Sequence, residues 1–233
     1  MAMPPHLASE TAHSPAQLSR IIAEMYPKAT TPRLLRWMQV RRPFICPFDL
    51  LLPRIAAPAT LLDVGCGGGL WLGLCAHFGL LARGVGFDYN APAIATANAM
   101  RAQLGERGQM LTFQHARAQD GAHAWPSEQF SVVSIIDVMH HVPPADQPAL
   151  IAQAAAHVEP GGLLLYKDIA STPWAMASMN RLHDLVLAQQ WVHYAAADDV
   201  TRWAESAGLV RTDQVRMHRL WYPHQLLVFS KPE

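Results

Sequence analysis

The chain has 233 residues, 51% hydrophobic and only 15% charged, with 18 Lys and Arg set against 18 Asp and Glu. That length suits one large α/β domain, or a core with a helical extension, with ample residues for a sizeable buried core. A formally neutral chain lacks the electrostatic footprint of a nucleic-acid binder, and there is no basic cluster beyond short pieces such as Arg41-Arg42.

Residues 1–14 include Pro4-Pro5 and several small or polar residues, which predicts a disordered lead, without the basic start and apolar run of a signal peptide. Ser14 caps a predicted helix with Pro15 at its first position. Leu18, Ile21, Ile22 and Met25 follow at helical spacing, and Pro27 ends the helix. Thr31-Pro32 opens a second helical segment with Leu34, Leu35 and Met38 on one face. Phe44 to Ile55, broken by Pro47 and Pro53, predicts a short helix. The stretch 1–57 therefore reads as an N-terminal helical extension or lid.

From Thr60 onward strands and helices alternate. Leu61-Leu62-Asp63-Val64 reads as a buried strand, Gly65 to Gly69 as a tight turn, and Leu70 to Phe78 as a helix. Gly84 to Phe87 is a second strand ending in Asp88, and Ala91 to Leu104 is a helix opened by Asn90 and Pro92. Met110 to Gln114 and Ser131 to Ile136 are the third and fourth strands, the latter with the continuous apolar core of a strand buried on both faces. Gln147 to Val158 is a helix stopped by Pro160-Gly161-Gly162, and Leu163 to Tyr166 is the fifth strand. Asp198 or Asp199 caps a last helix that Gly208 terminates. Leu209 to Met217 and Leu220 to Phe229 then form a hairpin. The alternation predicts a doubly wound, mostly parallel α/β sheet, finished by an antiparallel strand near one edge. Residues 58–233 would form this domain, with an insertion at about 171–197. No apolar run approaches the ~18–20 residues of a membrane helix, so no transmembrane segment is expected. Cys46, Cys66 and Cys75 have neither disulfide nor metal spacing, so no metal is expected, and reduced thiols suit a cytoplasmic protein.

The glycines at 65, 67 and 69 let the backbone turn sharply after the first strand and leave room for a ligand at the next helix. Taken alone they also fit a tight turn with no ligand. Two carboxylates add information. Asp63, before the turn, would repel a pyrophosphate but suit a cationic sulfonium carrying an α-ammonium group. Asp88, about twenty residues on, is placed to accept two hydrogen bonds from a ribose diol, and Tyr89 beside it to lie along an adenine face.

The runs L-L-D-V-G-C-G-G-G, V-G-F-D, I-I-D-V-M-H-H-V and E-P-G-G-L-L-L-Y, in order over residues 58–170, resemble class I S-adenosylmethionine-dependent methyltransferases. The final hairpin agrees with that family's seven-stranded Rossmann-like sheet. The resemblance implies S-adenosyl-L-methionine as cofactor. Asp63 and the backbone around Gly65, Cys66, Gly67 and Gly69 would hold the methionine moiety, Asp88 the ribose and Tyr89 the adenine. Asp137 would lie near the sulfonium, and Asp120 is the candidate, loosely spaced, for the adenine amino group.

An alcohol acceptor needs a base, whereas a phenol or carboxylate needs little help with its proton. His140, His141 and Asp168 sit at the carboxyl ends of the fourth and fifth strands, where such sheets bind ligands, and are the candidate catalytic residues. The histidines can equally be packing and local hydrogen-bonding groups, and Lys167-Asp168 a surface pair. The aromatic and Met-rich stretch from Ser171 to Tyr194 offers Trp174, His183, Trp191 and Tyr194 as acceptor contacts, with His193 beside them. Leu182, Leu185 and Val186 read as core, and His218, Trp221 and His224 as structural. The expected activity is methyl transfer to a small acceptor, phenolic, polyketide-like or lipid-like, with oxygen slightly favoured and nucleic acid disfavoured. The alternatives are an accessory protein that binds the cofactor or an apolar ligand without turning it over, and a nucleotide-dependent oxidoreductase. The latter would want G-x-G-x-x-G spacing, which Leu70 breaks.

Overall fold

Strands whose side chains are apolar on both faces need cover on both sides, and that requirement organises this molecule. The computed structural model describes residues 13–29, 31–170, 193–220 and 222–233. The expected disordered lead before residue 13, the stretch carrying Trp174, His183, Leu182, Leu185, Val186 and Trp191, and Trp221 lie outside the described residues. Seven strands form one sheet: β1 (Ala59–Val64), β2 (Leu81–Asp88), β3 (Leu111–His115), β4 (Phe130–Ile136), β5 (Val158–Ile169), β6 (Val210–Arg219) and β7 (Tyr222–Ser230). Their order is β3-β2-β1-β4-β5-β7-β6. β1 to β5 pair in parallel, and β7 runs antiparallel between β5 and β6. The antiparallel strand thus lies one place in from the edge.

Helices α1 (Pro15–Met25), α2 (Arg33–Arg41), α3 (Phe48–Leu51), α4 (Leu70–His77) and α5 (Ala91–Gln103) precede β3, and α6 (Gln147–Ala156) and α7 (Ala197–Ser206) follow β4 and β5. One core layer joins Leu61, Val132, Leu165 and Leu226 of the sheet to α1, α3, α4 and α5. The opposite layer joins Leu62, Val133, Leu164 and Leu227 to α6 and α7. Helix α4 is buried from Leu70 through Ala76, as expected for a helix apolar all round. Ser14 and Gln17 form a reciprocal capping box at α1, and Asn90 caps α5 through the Ala93 amide.

Three local readings are corrected. Asp198 and Asp199 do not cap α7; its N-cap is Ala196, and the aspartates occupy the first turn, where negative charge complements the helix dipole. Pro160-Gly161-Gly162 lies inside β5, which pairs with β4 on both sides of it, with Phe130 opposite Val158 and Val132 opposite Leu163, so Glu159 to Gly162 bulge from the ladder with β4. In α2, Leu34 and Met38 face outward, Leu35 is half-buried, and no residue of the helix is fully buried.

Candidate active site

The carboxyl ends of β1, β2 and β4 converge where the strand order reverses, the place at which such sheets bind ligands. A cleft with two adjoining lobes opens there. The inner lobe, about 390 Å³, is bordered by Asp63, the Cys66–Gly67–Gly68 turn, Asp137 and, from the helical cover, Met38, Gln39 and Arg42. The outer lobe, about 530 Å³, is bordered by Phe87, Arg117, Asp120 and Val142. Gly65, Asp88, Tyr89, Val138 and His141 border both. These volumes fall in the range of small-molecule sites.

The turn after β1 has reasons for its glycines. Gly67 has φ +52°, and a Cβ there would meet nothing within 4 Å, so its backbone borders open cleft. Gly65, at φ +70°, would place a Cβ 2.6 Å from Val138 Cγ2. The Gly67 amide donates to Asp88 Oδ2 at 2.9 Å and the Asn90 amide to Oδ1 at 2.8 Å, which fixes the carboxylate at the cleft edge. From the other side the buried Tyr26 hydroxyl donates to the Gly68 carbonyl at 2.7 Å, so α1 clamps the same turn. Tyr26 is not a residue that local sequence reasoning could assign to the site, since 42 residues separate the partners.

Asp63 is 3% exposed. Burial pushes its carboxyl up to about 7, against the lowering effect of the Ser134 hydroxyl, which donates to Oδ1 at 2.7 Å. A buried carboxyl with one hydroxyl partner suits a cationic ligand that would restore its charge. Tyr89 is exposed on the rim, with the Arg117 guanidinium 5.9 Å from its ring centroid. Asp120, loosely spaced in sequence, reaches the outer lobe because a 3-10 turn over Ala118–His123 follows β3. Its Oδ2 accepts the Arg117 amide at 3.1 Å.

Asp137 lies at the end of β4 with φ +56°, a backbone region few residues other than glycine occupy. Lys167 Nζ donates to its Oδ1 at 2.5 Å and Arg42 to its Oδ2 at 2.8 Å. Burial alone would raise this carboxyl, but the Lys167 ammonium and the Arg42 guanidinium outweigh it and hold the group far below the usual carboxylate range. Lys167 and Asp168 therefore do not form a surface pair. Both are buried, and as successive strand residues they face opposite sides of the sheet. His224, on β7 beside this cluster, is 3% exposed, and among the described residues neither ring nitrogen closes a hydrogen bond of acceptable geometry. Burial, then the Lys167 charge, lower its pKa to about 3 and keep the imidazole neutral.

Asp168 belongs to the other side. Its Oδ1 lies 2.6 Å from His140 Nδ1 and accepts the Ile169 amide at 2.7 Å, while Oδ2 accepts the His140 amide at 3.2 Å. Both oxygens are engaged, the residue is 2% exposed, and it borders neither lobe of the cleft. The His140 ring lies 4.1 Å from that of the exposed His141 and 5.8 Å from that of the buried Tyr194. His193 is exposed, and its amide donates to the His140 carbonyl at 3.0 Å.

The sequence matches a family model described as a methyltransferase domain over residues 36–214. A ubiquinone biosynthesis O-methyltransferase of Thiobacillus denitrificans is 28% identical over 184 residues, covering 76% of this chain and 71% of that protein. Another, from a Methylobacterium species, is 30% identical over 212 residues, covering 85% and 82%. Among solved structures, the magnesium protoporphyrin IX methyltransferase of Synechocystis PCC 6803, with bound S-adenosylhomocysteine, shares the fold at a TM-score of 0.64 and 15% identity, over 90% of this chain and 91% of that one. The family match, the seven-stranded topology and the glycine turn facing Asp88 converge: the chain belongs to the class I S-adenosylmethionine-dependent methyltransferases.

Proposed function

We propose that the chain methylates an oxygen of a small aromatic or apolar acceptor, of the phenolic, polyketide-like or lipid-like kind. The observation that carries this reading is that relatives 28% and 30% identical over most of the chain are O-methyltransferases by name. In this reading Asp63 and the backbone at Gly65, Cys66, Gly67 and Gly69 take the methionine end of the cofactor, Asp88 the ribose, and Tyr89 and Asp120 the adenine. S-adenosylmethionine supplies an already activated methyl group, so the protein's task is to align the acceptor, exclude water and accept a proton where one must leave. Asp137 offsets one of the two positive charges that Arg42 and Lys167 place beside the inner lobe, which lowers the repulsion a sulfonium would meet there.

The proton task falls to His140. With its proton on Nδ1, His140 donates to Asp168 Oδ1 and carries its lone pair on Nε2, the tautomer that lets a histidine act as a base. Asp168 is then a positioning residue, His141 borders the cofactor, and Tyr194 forms part of the acceptor wall.

Incubation with S-adenosylmethionine and a panel of catechols, phenols, amines and thiols, followed by mass-spectrometric detection of S-adenosylhomocysteine and of the product, tests the reading. Turnover with hydroxylated aromatics is expected. Turnover confined to amines would replace oxygen by nitrogen as the acceptor atom. Cofactor binding with no turnover across the panel would favour a ligand-binding accessory role.

A further inference from the structure

Helix α2 presents outward the kind of face that a helix on a globular core normally hides. Its exposed residues are Arg33, Leu34, Trp37, Met38 and Arg41, which share one side at a period of about 3.6 residues, while Leu35, Arg36, Gln39 and Val40 are half-buried against the body. Leu34 is 71% exposed and Trp37 57%, and Phe44, just past the helix, is 39% exposed. The Arg41 guanidinium lies over the Trp37 ring, 5.8 Å from its centroid.

The charge around this face is one-sided. From Met25 to Phe48 the chain carries Lys28, Arg33, Arg36, Arg41 and Arg42 and no Asp or Glu. These cations are spaced along the chain rather than adjacent. Arg42 is paired with Asp137, a carboxylate it shares with Lys167. Arg36 donates to the carbonyls of Tyr26 and Ala23, which leaves its charge unbalanced. Among the described residues, neither Arg36 nor Lys28, Arg33 or Arg41 meets a carboxylate within ion-pair distance. The same helix borders the cleft through Met38 and Gln39.

We propose that α2 seats the protein on an anionic lipid surface. Leu34, Trp37 and Phe44 enter the interface, and Arg33 and Arg41, at the two ends of the exposed face, meet headgroup phosphates. Large apolar side chains flanked by cations on a helix lying flat is the combination such an interface binds, by apolar burial and by attraction to anionic headgroups together. A second copy of the chain is the poorer occupant, since pairing this face with itself would oppose the unbalanced cations Arg33 and Arg41 to those of the other copy. Docking through α2 brings the inner lobe to the membrane surface, where an apolar acceptor dissolved in lipid would arrive. That consequence rests on the proposed function; the docking itself does not.

The test is cosedimentation of the full chain with phosphatidylcholine vesicles, with and without phosphatidylglycerol. The expected result is pelleting with the anionic vesicles only, diminished by salt. Arg33→Gln and Arg41→Gln should each lower partitioning on the order of fivefold, and the Leu34→Ser/Trp37→Ser double variant should abolish it. All three should keep the wild-type melting temperature and S-adenosylhomocysteine affinity, because these side chains are outside the cleft. Wild-type protein that stays in the supernatant with anionic vesicles overturns the proposal, as does a double variant that pellets like the wild type. Light scattering that shows a dimer dissolved by Leu34→Ser/Trp37→Ser would instead assign the face to a second copy. Binding to an acidic polypeptide without binding to vesicles would assign it to a protein partner. Turnover of water-soluble acceptors is independent of all these outcomes and reports separately on the proposed activity.

Discussion

The Gly67 amide donates to the Asp88 carboxylate at 2.9 Å, which ties the turn after β1 to the end of β2. The two parts of the candidate cofactor site are therefore one hydrogen-bonded unit rather than separate contacts. In Asp88→Ala, a ligand loses its ribose partner and the turn loses an anchor at the same time. Affinity for S-adenosylhomocysteine is expected to weaken by ~1.5–3 kcal/mol, the range for hydrogen bonds to a charged group. Calorimetry measures this directly, and unchanged affinity would remove Asp88 from the site.

Asp63 sets stability against binding. An unfolded aspartate titrates near 3.8 and the folded Asp63 near 7, because burial disfavours its charged form. Between these values the folded state holds a proton that the unfolded chain has released, so stability falls as pH rises through that window and stays reduced above it. Asp63→Asn removes this cost and can still accept from Ser134. The apo variant is expected to melt higher than wild type at pH 8, by a margin that shrinks toward pH 4. It should also lose most affinity for S-adenosylhomocysteine, whose α-ammonium group wants the carboxylate. Wild-type affinity should rise with pH across the same window, with proton release on binding seen as a buffer-dependent calorimetric enthalpy. A variant that melts lower than wild type at neutral pH would mean that Asp63 is better compensated than its single hydroxyl partner implies.

The cofactor half of the site was legible in the sequence because its signals are local. Asp63, the glycines and Asp88 each sit at the end of a strand that its own residues specify, and the chain order of those strands is regular. The Lys167–Asp137 bond was not legible. The two residues are neighbours only because β5 pairs with β4 so that Lys167 faces Ile136, and Lys167-Asp168 reads naively as a surface pair. The Ser134 hydroxyl, within an otherwise apolar strand, faces Asp63 because β4 pairs with β1, a relation that no local spacing signals. The outward turn of α2 escaped for a different reason. Periodicity identifies which residues share a face, but which face meets the core depends on how α1 and the sheet pack.

The Arg42–Asp137–Lys167 cluster ties the helical cover to β4 and β5. Lys167→Met leaves a buried carboxylate with one partner, and breaking a buried pair in this way costs about 3–5 kcal/mol. Lys167→Met/Asp137→Asn removes the stranded charge, and asparagine tolerates the left-handed backbone at this position. Chemical denaturation should therefore find the double variant more stable than Lys167→Met alone. Additive losses would show that the two groups are not energetically coupled.

The His140–Asp168 pair makes a prediction that depends on the acceptor. If Asp168 orients His140 as a base, Asp168→Asn and His140→Ala should lower kcat by roughly 10²–10⁴-fold with little change in the KM for S-adenosylmethionine, since neither residue borders the cleft lobes where the cofactor would lie. The loss should be greatest for weakly acidic hydroxyls and smallest for acidic phenols, which arrive already ionised. A series of ring-substituted phenols assayed with both variants and wild type would display this as a steeper dependence of log kcat on acceptor pKa when the dyad is broken. Equal losses across the series, together with a lowered melting temperature, would mean that the pair holds β5 to the turn after β4 and handles no proton.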